Sequence, residues 1–376
     1  MNTEKLNILV VNSAREWIGE AARCLYLTQL LNANGHNALL VARNGFPLHD
    51  HARAAGVTVE TLHMTGKFTG ILDLADVIKL ATLIAKRRID VVHTHRGKDH
   101  WLGAAAVRLF PRSKRPRLIR TRHVVMPVRQ HALNRWFYKK ATDTIIAVSE
   151  ASRASFGLLL ERMKPPHIIY AGIDGNAFSP EKRDNGLRAS LGVKDSELLV
   201  GLIGRLQNIK GQDVFINTAK QVLHKYPHTR FLLCGREAIY TKERYEQLAR
   251  SLNISDSVIV LNYQDEIAPL IASLDIGVIA SLGSEGSSRI AFEYMASGVP
   301  MVATRVGCLP EILNDGENGL LVAPGDVGEL ADAIKQLIDF PELRTKFRDT
   351  NRILAVERYS LDRFLRQTLQ VYTEKM

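Results

Sequence analysis

LLVGLIGRLQNIKG, Leu198–Gly211, is a short apolar run that ends at a glycine and turns past two cations before a helical stretch opens at Asp213. An apolar run of this length bounded by a turn reads as a strand buried on both faces. Such a strand feeding a helix is the repeating unit of a helix-covered parallel sheet. The same unit recurs outward in both directions. Downstream, strands are expected near Arg230 to Cys234, Val258 to Leu261, Gly277 to Ala280, Met301 to Thr304 and Leu320 to Val322. Upstream they are expected near Leu6 to Val11, Ala38 to Val41, Val57 to Glu60, Val91 to Thr94, Leu118 to Thr121, Thr144 to Val148 and Ile168 to Tyr170. Between the two series lies GIDGNAFSPEKRDNG (172–186), whose glycines and proline interrupt any regular element and mark a linker. The pattern predicts two doubly wound α/β domains, residues 1–178 and 179–376. Beyond Pro341 the chain reads as helical to its end, with Leu343, Phe347, Ile353, Leu354, Phe364, Leu365, Leu369 and Val371 as core positions. The last helix, about 355–376, is expected to pack back on the N-terminal domain. Ligands of such sheets bind at the carboxyl ends of the strands, so two of them are expected to face each other across a cleft lined by loops.

Composition narrows the class. With 376 residues, 46% hydrophobic and 24% charged, the chain is long enough for two cores and ordinary for a globular protein. No apolar run approaches the ~20 residues that cross a bilayer, and the N-terminus enters a strand-like run without a signal-peptide core, so a cytoplasmic location is expected. Cys24, Cys234 and Cys308 stand alone in apolar stretches, which points to core thiols and away from disulfides or structural zinc. The net charge is +11, and Lys86 to Lys140 holds sixteen Lys or Arg against the two acids Asp90 and Asp99. Such a block favours a polyanion, whether nucleic acid, phosphorylated glycan or anionic membrane.

Two loops of the second half carry candidate chemistry. Gly204, Arg205 and Lys210 lie in the first, where a planar guanidinium and an ammonium five residues apart can grip neighbouring phosphates. The second, SLGSEGSSRIAFEYMASGVP (281–300), places Gly286, Ser287 and Ser288 at a helix start. The serines suit N-caps, and the free N–H groups with the positive helix end favour an anion. Glu285 precedes this helix and Glu293 lies in its second turn. Eight helical residues would turn the two side chains ~80° apart, so a loop carboxylate and a helix carboxylate flanking one extended ligand is the more natural arrangement. Carboxylates accept paired hydroxyl hydrogen bonds, which suits ribose and sugars.

GRLQNIKG (204–211), EGSSRIAFE (285–293), MASGVPMVAT (295–304) and PEILNDGENGLLVAPGD (310–326) together resemble the retaining glycosyltransferases of family four, which have the GT-B fold of two Rossmann-like domains. In the first half LLNANGHNALLV, DVVHTH, TRHVV and IIYAGIDGNAFSP are similar to further family segments, so the resemblance spans nearly the whole chain. It implies an N-terminal acceptor domain and a C-terminal donor domain. Arg205 and Lys210 would hold the donor diphosphate as leaving group, Glu293 the ribose, and Glu285 the transferred sugar. Ser287 and Ser288 would cover the sugar and phosphates, and His123 would sit by the donor sugar or the acceptor. Where the family commonly has a Gly-Gly turn followed by a glutamate, WIGEAAR keeps Gly19 after Ile18 and brings Glu20 one place early. Gly19 still allows close approach of a phosphate or sugar.

No Asp-x-Asp pair occurs, which predicts a metal-independent mechanism without a bound cofactor. The donor is expected to be a nucleotide sugar, by family frequency linked to uridine diphosphate. The basic, aromatic-containing N-terminal half suits a glycan or lipid-linked acceptor met on an anionic membrane surface. That points to assembly of bacterial envelope polysaccharide or lipopolysaccharide. Without a Gly-x-Gly-x-x-Gly a nicotinamide enzyme does not fit. A nucleic-acid-binding protein using the 86–140 block is the alternative reading, although that block carries no recognised binding motif or dense aromatic platform, so no nucleic acid is expected.

Overall fold

A computed structural model describes residues 5–66, 69–264 and 266–374. Both halves build wholly parallel sheets, as the apolar runs require. The first contains β1 (Asn7–Asn12), β2 (Asn37–Arg43), β3 (Val59–Leu62), β4 (Val91–Thr94), β5 (Arg117–Arg122), β6 (Thr144–Ala147) and β7 (His167–Ile168), in the order β3-β2-β1-β4-β5-β6-β7. The second contains β8 (Leu198–Ile203), β9 (Thr229–Gly235), β10 (Val258–Asn262), β11 (Ile276–Ile279), β12 (Met301–Thr304) and β13 (Leu320–Val322), in the order β10-β9-β8-β11-β12-β13. In each sheet the strand order reverses beside the first strand, β1 next to β4 and β8 next to β11. Those switch points are where loops diverge and ligands of doubly wound sheets bind. The expected fold class is the observed one.

Alternate residues of a strand serve opposite faces, and β1 demonstrates it. Ile8 and Val10 join the core formed with Ala21, Cys24, Leu27 and Leu31 of α1 (Gly19–Ala33). Leu9 and Val11 join the core on the other face, with Leu80 and Leu83 of a later helix. After α2 (Pro47–Ala54) that later helix is α3 (Ile71–Arg87), and α4 (Gly97–Arg108) packs beside it. All three cysteines are buried free thiols.

The chain forms two compact units, one of residues up to Tyr170 together with those from Phe364 onward, the other Ala171–Arg363. The C-terminal stretch is two helices, Pro341–Glu357 and Leu361–Thr373, rather than one. At the break Tyr359 turns inward at 2% exposure, and its carbonyl accepts from Ile173 N–H at 2.8 Å. Phe347, Phe364, Leu365 and Val371 are buried as expected, but Ile353 is 55% exposed. The first of these helices buries only the narrow stripe Phe347, Asn351 and Ala355, which turns Ile353 outward.

Part of the basic block is structural. Arg120 and Arg122 are buried in β5, and Arg117 donates to the carbonyls of Tyr372 and Glu374 at 2.8 and 2.6 Å. Arg112 and Lys114, in the turn before β5, are exposed.

Candidate functional site

In the C-terminal unit the candidate residues gather at the ends of β8 and β11. After Gly204 the chain turns through half-buried Arg205 and Lys210. Gln212 Nε2 donates to the Arg205 carbonyl at 2.7 Å and fixes the turn. Gly211 closes it at φ +72°, and a Cβ there would lie 1.9 Å from the Ala280 carbonyl oxygen, so only glycine lets this turn lie against the end of β11. Leu282 N–H donates to Ile209 O at 2.9 Å, tying the two loops together.

The contact between the loops is charged. Lys210 Nζ forms an ion pair with Glu285 Oε1, which also accepts from the Ser281 hydroxyl. Glu285 is 3% exposed, and its carbonyl is held by Cys308 N–H at 2.8 Å. Gly286 is buried and Ser287 half-buried beyond it.

The helix Arg289–Ala296 begins directly after Ser288, which sits at φ +32°, ψ +65°. The sequence suggests a serine N-cap here, but the left-handed backbone turns the hydroxyl away from the N–H groups an extended cap would reach. No cap hydrogen bond forms, and Ser288 Oγ is buried without a partner. An orphaned hydroxyl beside a helix N-terminus is the environment an anionic, oxygen-rich ligand would complete.

Glu293 lies on this helix at 7% exposure. Burial pushes its carboxyl above the usual range, while Arg289, donating from Nε at 2.7 Å, opposes that shift. Tyr294 anchors the helix: its ring fills the space beside Gly277 of β11, and its hydroxyl donates to Gly201 O and accepts from Ile203 N–H, each at 3.2 Å. Neither Ser281 nor Tyr294 stood out in the sequence, because nothing local marks the long-range contacts they make.

In the N-terminal unit a polar cluster occupies the ends of β1, β4 and β5. His123, half-buried just after β5, has Nε2 3.0 Å from His95 Nδ1. His93 lies 2.7 Å from both Tyr372 Oη and Thr121 Oγ1. Burial, with surrounding cations including Arg23 and Arg120, lowers His123 and His95 well below the usual imidazole range and brings His93 to about 3. All three are neutral near neutral pH, so His123 acts as a hydrogen-bonding group.

Gly19 is exposed at the first position of α1, and Glu20 follows it. Glu20 Oε1 accepts from Asn12 Nδ2 at 3.1 Å and lies 3.5 Å from Arg96. Burial, reinforced by Asp99 and opposed by Arg96, raises the Glu20 carboxyl to about 7. Asp99, fully buried, orders this region by accepting from His95 N–H, Arg96 N–H and the Ser13 hydroxyl at 2.7, 2.9 and 2.9 Å. In the sequence it stands out only as an acid within the basic block, although its place three residues into a helix is a usable signal.

Comparison with known proteins gives the family. Residues 197–339 match the model of the glycosyl transferases group 1, and residues 19–176 that of Glycosyltransferase Family 4. The MMP alpha-(1->4)-mannosyltransferase of Mycolicibacterium hassiacum is 30% identical over 322 residues, covering 78% of this chain and 73% of that protein. The D-inositol 3-phosphate glycosyltransferase of Corynebacterium urealyticum is 27% identical over 310 residues, covering 75% and 71%. A glycosyltransferase structure from Rickettsia africae shares the fold with a TM-score of 0.88 and 20% identity over 98% of each chain.

Proposed function

Because this chain belongs to glycosyltransferase family four, we propose that it transfers a sugar, with retention and without a metal ion, from a nucleotide diphosphate to a glycan or lipid-linked acceptor. The observation that carries this reading is the joined pair of loops in the C-terminal unit. There a lysine and a buried carboxylate meet beside a helix start whose Ser288 hydroxyl lacks a partner. The donor diphosphate would lie on that helix start, with Arg205 and Lys210 neutralising it. Glu293 would hold the ribose hydroxyls, Glu285 the transferred sugar, and the backbone of Gly204, Gly286 and Ser287 would line the donor. We assign the N-terminal unit to the acceptor, with Gly19 at the start of α1 and His123 just after β5 as further donor or acceptor contacts.

In the step itself the bond between the anomeric carbon and the diphosphate oxygen breaks. The acceptor oxygen forms the new bond on the same face, and its proton passes to the departing phosphate oxygen. The products are the glycoside and a nucleoside diphosphate. Positive charge on Arg205 and Lys210 counts most as the leaving group gains negative charge, which is where differential binding accelerates a reaction.

We further infer a uridine diphosphate sugar as donor, and a place in bacterial envelope polysaccharide or lipopolysaccharide assembly on the inner face of the cytoplasmic membrane. The phosphorylated acceptor in the name of the Corynebacterium relative and the +11 charge of this chain support an anionic acceptor or surface. Among the described residues no helix is long and apolar enough to cross a membrane.

Transfer is expected to survive excess EDTA, since the protein cations supply the charge that a metal would. Loss of activity with chelator and its recovery with magnesium or manganese would overturn the metal-independent mechanism.

A further inference from the structure

The first two turns of helix α3 reverse the usual amphipathic order, while Leu80, Leu83 and Ile84 further along it are buried. Its acids face inward, with Asp73 and Asp76 at 5% and 1% exposure, while Ile71, Leu74 and Ile78 stand 84%, 60% and 55% exposed. Spaced i, i+3 and i+7, these three lie along one helical stripe.

The inversion is built in by hydrogen bonds. Asp76 accepts from the N–H groups of His63 and Met64 at 2.9 and 2.8 Å. Asp73 accepts from Thr69 N–H at 2.9 Å and pairs with Lys98 of α4. These bonds set the rotation of α3 about its axis and leave the apolar stripe to solvent.

What remains outside has a distinct chemistry. Asp73 and Asp76 are the only acids of α3, so its exposed surface carries apolar side chains together with Lys79, Lys86 and Arg87, and no negative charge. Exposed Arg88 follows at its end. Beside it, α4 contributes Trp101 at 46% exposure and is followed by Leu109 at 65% and by exposed Arg112 and Lys114. Glu60 lies 3.8 Å from Lys79, and exposed aliphatic groups flanked by an excess of cations match the boundary between anionic headgroups and acyl chains.

We propose that α3 is the apolar anchor by which the N-terminal unit docks on an anionic bilayer. Ile71, Leu74 and Ile78 enter the headgroup boundary, and the flanking Lys86 meets lipid phosphate. This rests on the membrane-surface reading given above, adding to it the element that inserts. Because attraction between charges is screened by salt while apolar insertion is not, the stripe accounts for binding that persists at high ionic strength.

The test is cosedimentation with vesicles of phosphatidylglycerol and phosphatidylethanolamine at low and high salt, using wild type, Ile71→Ser/Leu74→Ser/Ile78→Ser, and Arg112→Glu/Lys114→Glu. Wild type is expected to bind at both salts. The triple serine variant should lose binding roughly tenfold or more at high salt with unchanged thermal stability and unchanged affinity for uridine diphosphate. The charge-reversed variant should weaken mainly at low salt. A Leu74→Trp variant should in addition be quenched by brominated lipid more than the wild type. Equal binding of wild type and the triple variant, without extra quenching, overturns the role of α3 and leaves the membrane reading standing. Absence of wild-type binding to any vesicle overturns both. Self-association of wild type that the triple variant abolishes identifies the stripe as a contact between copies, and also overturns the proposal.

Discussion

Lys210→Ala is expected to lower turnover by roughly 30- to 900-fold, the equivalent of about 2 to 4 kcal/mol of transition-state stabilisation from one leaving-group donor. Arg205→Ala should lose activity on the same scale. Lys210 is the ion-pair partner of Glu285, which is 3% exposed, so its removal leaves a buried carboxylate without its cation. Stranding such a charge costs about 3 kcal/mol, the lower end of the usual range, because the Lys210 side chain is itself 26% exposed. Lys210→Ala should therefore melt earlier than wild type, and Lys210→Ala/Glu285→Gln should recover the melting temperature without recovering turnover. Wild-type turnover in Lys210→Ala would remove the residue from the reaction.

Gly211→Ala is expected to be a strongly damaging single-methyl change near the site. Its backbone is left-handed at φ +72°, and the added carbon would meet the Ala280 carbonyl oxygen at 1.9 Å, a main-chain atom that cannot swing away as a side chain would. Left-handed strain of about 1 to 2 kcal/mol then combines with displacement of the turn that carries Lys210. A total near 3 kcal/mol corresponds to a drop of roughly 6 to 12 °C for a unit of this size, accompanied by weaker donor turnover. Gly35 is the control: it sits at φ +85° with nothing within 4 Å of its Cβ position. Gly35→Ala should show the strain alone, with activity unchanged. Equal melting temperatures of the two variants would contradict the close approach of the turn to β11.

The fold was largely legible because buried parallel strands are written as apolar runs. Val91–Thr94, Met301–Thr304 and Leu320–Val322 match their expected limits, and the other strands lie within a few residues of theirs. The break at Tyr359 was not legible, because the residue that ends the helix does so through a backbone bond to Ile173, far away in sequence. Helical periodicity likewise assumes that apolar faces point inward. That assumption fails in the first two turns of α3, where Asp73 and Asp76 are drawn in by N–H groups of the preceding loop. In the two C-terminal loops the spacing of Arg205, Lys210, Glu285 and Glu293 was readable, but the meeting of Lys210 with Glu285 depends on two strand ends being neighbours in the sheet. The histidine cluster shows the same limit. His95 and His123 belong to separate motifs, and only the pairing of β4 with β5 sets them 3.0 Å apart.

The central claim is that residues 204–293 form a nucleotide diphosphate site, and calorimetric titration of wild type and Glu293→Ala with uridine diphosphate, beside the guanosine and adenosine diphosphates, tests it without an acceptor. Wild type is expected to bind one of these nucleotides saturably. Glu293→Ala should bind it more weakly by about 1.5 to 3 kcal/mol, the range for hydrogen bonds to a charged group, or roughly tenfold or more. Equal affinity of the two proteins, or no binding of any nucleoside diphosphate by the wild type, would contradict the claim.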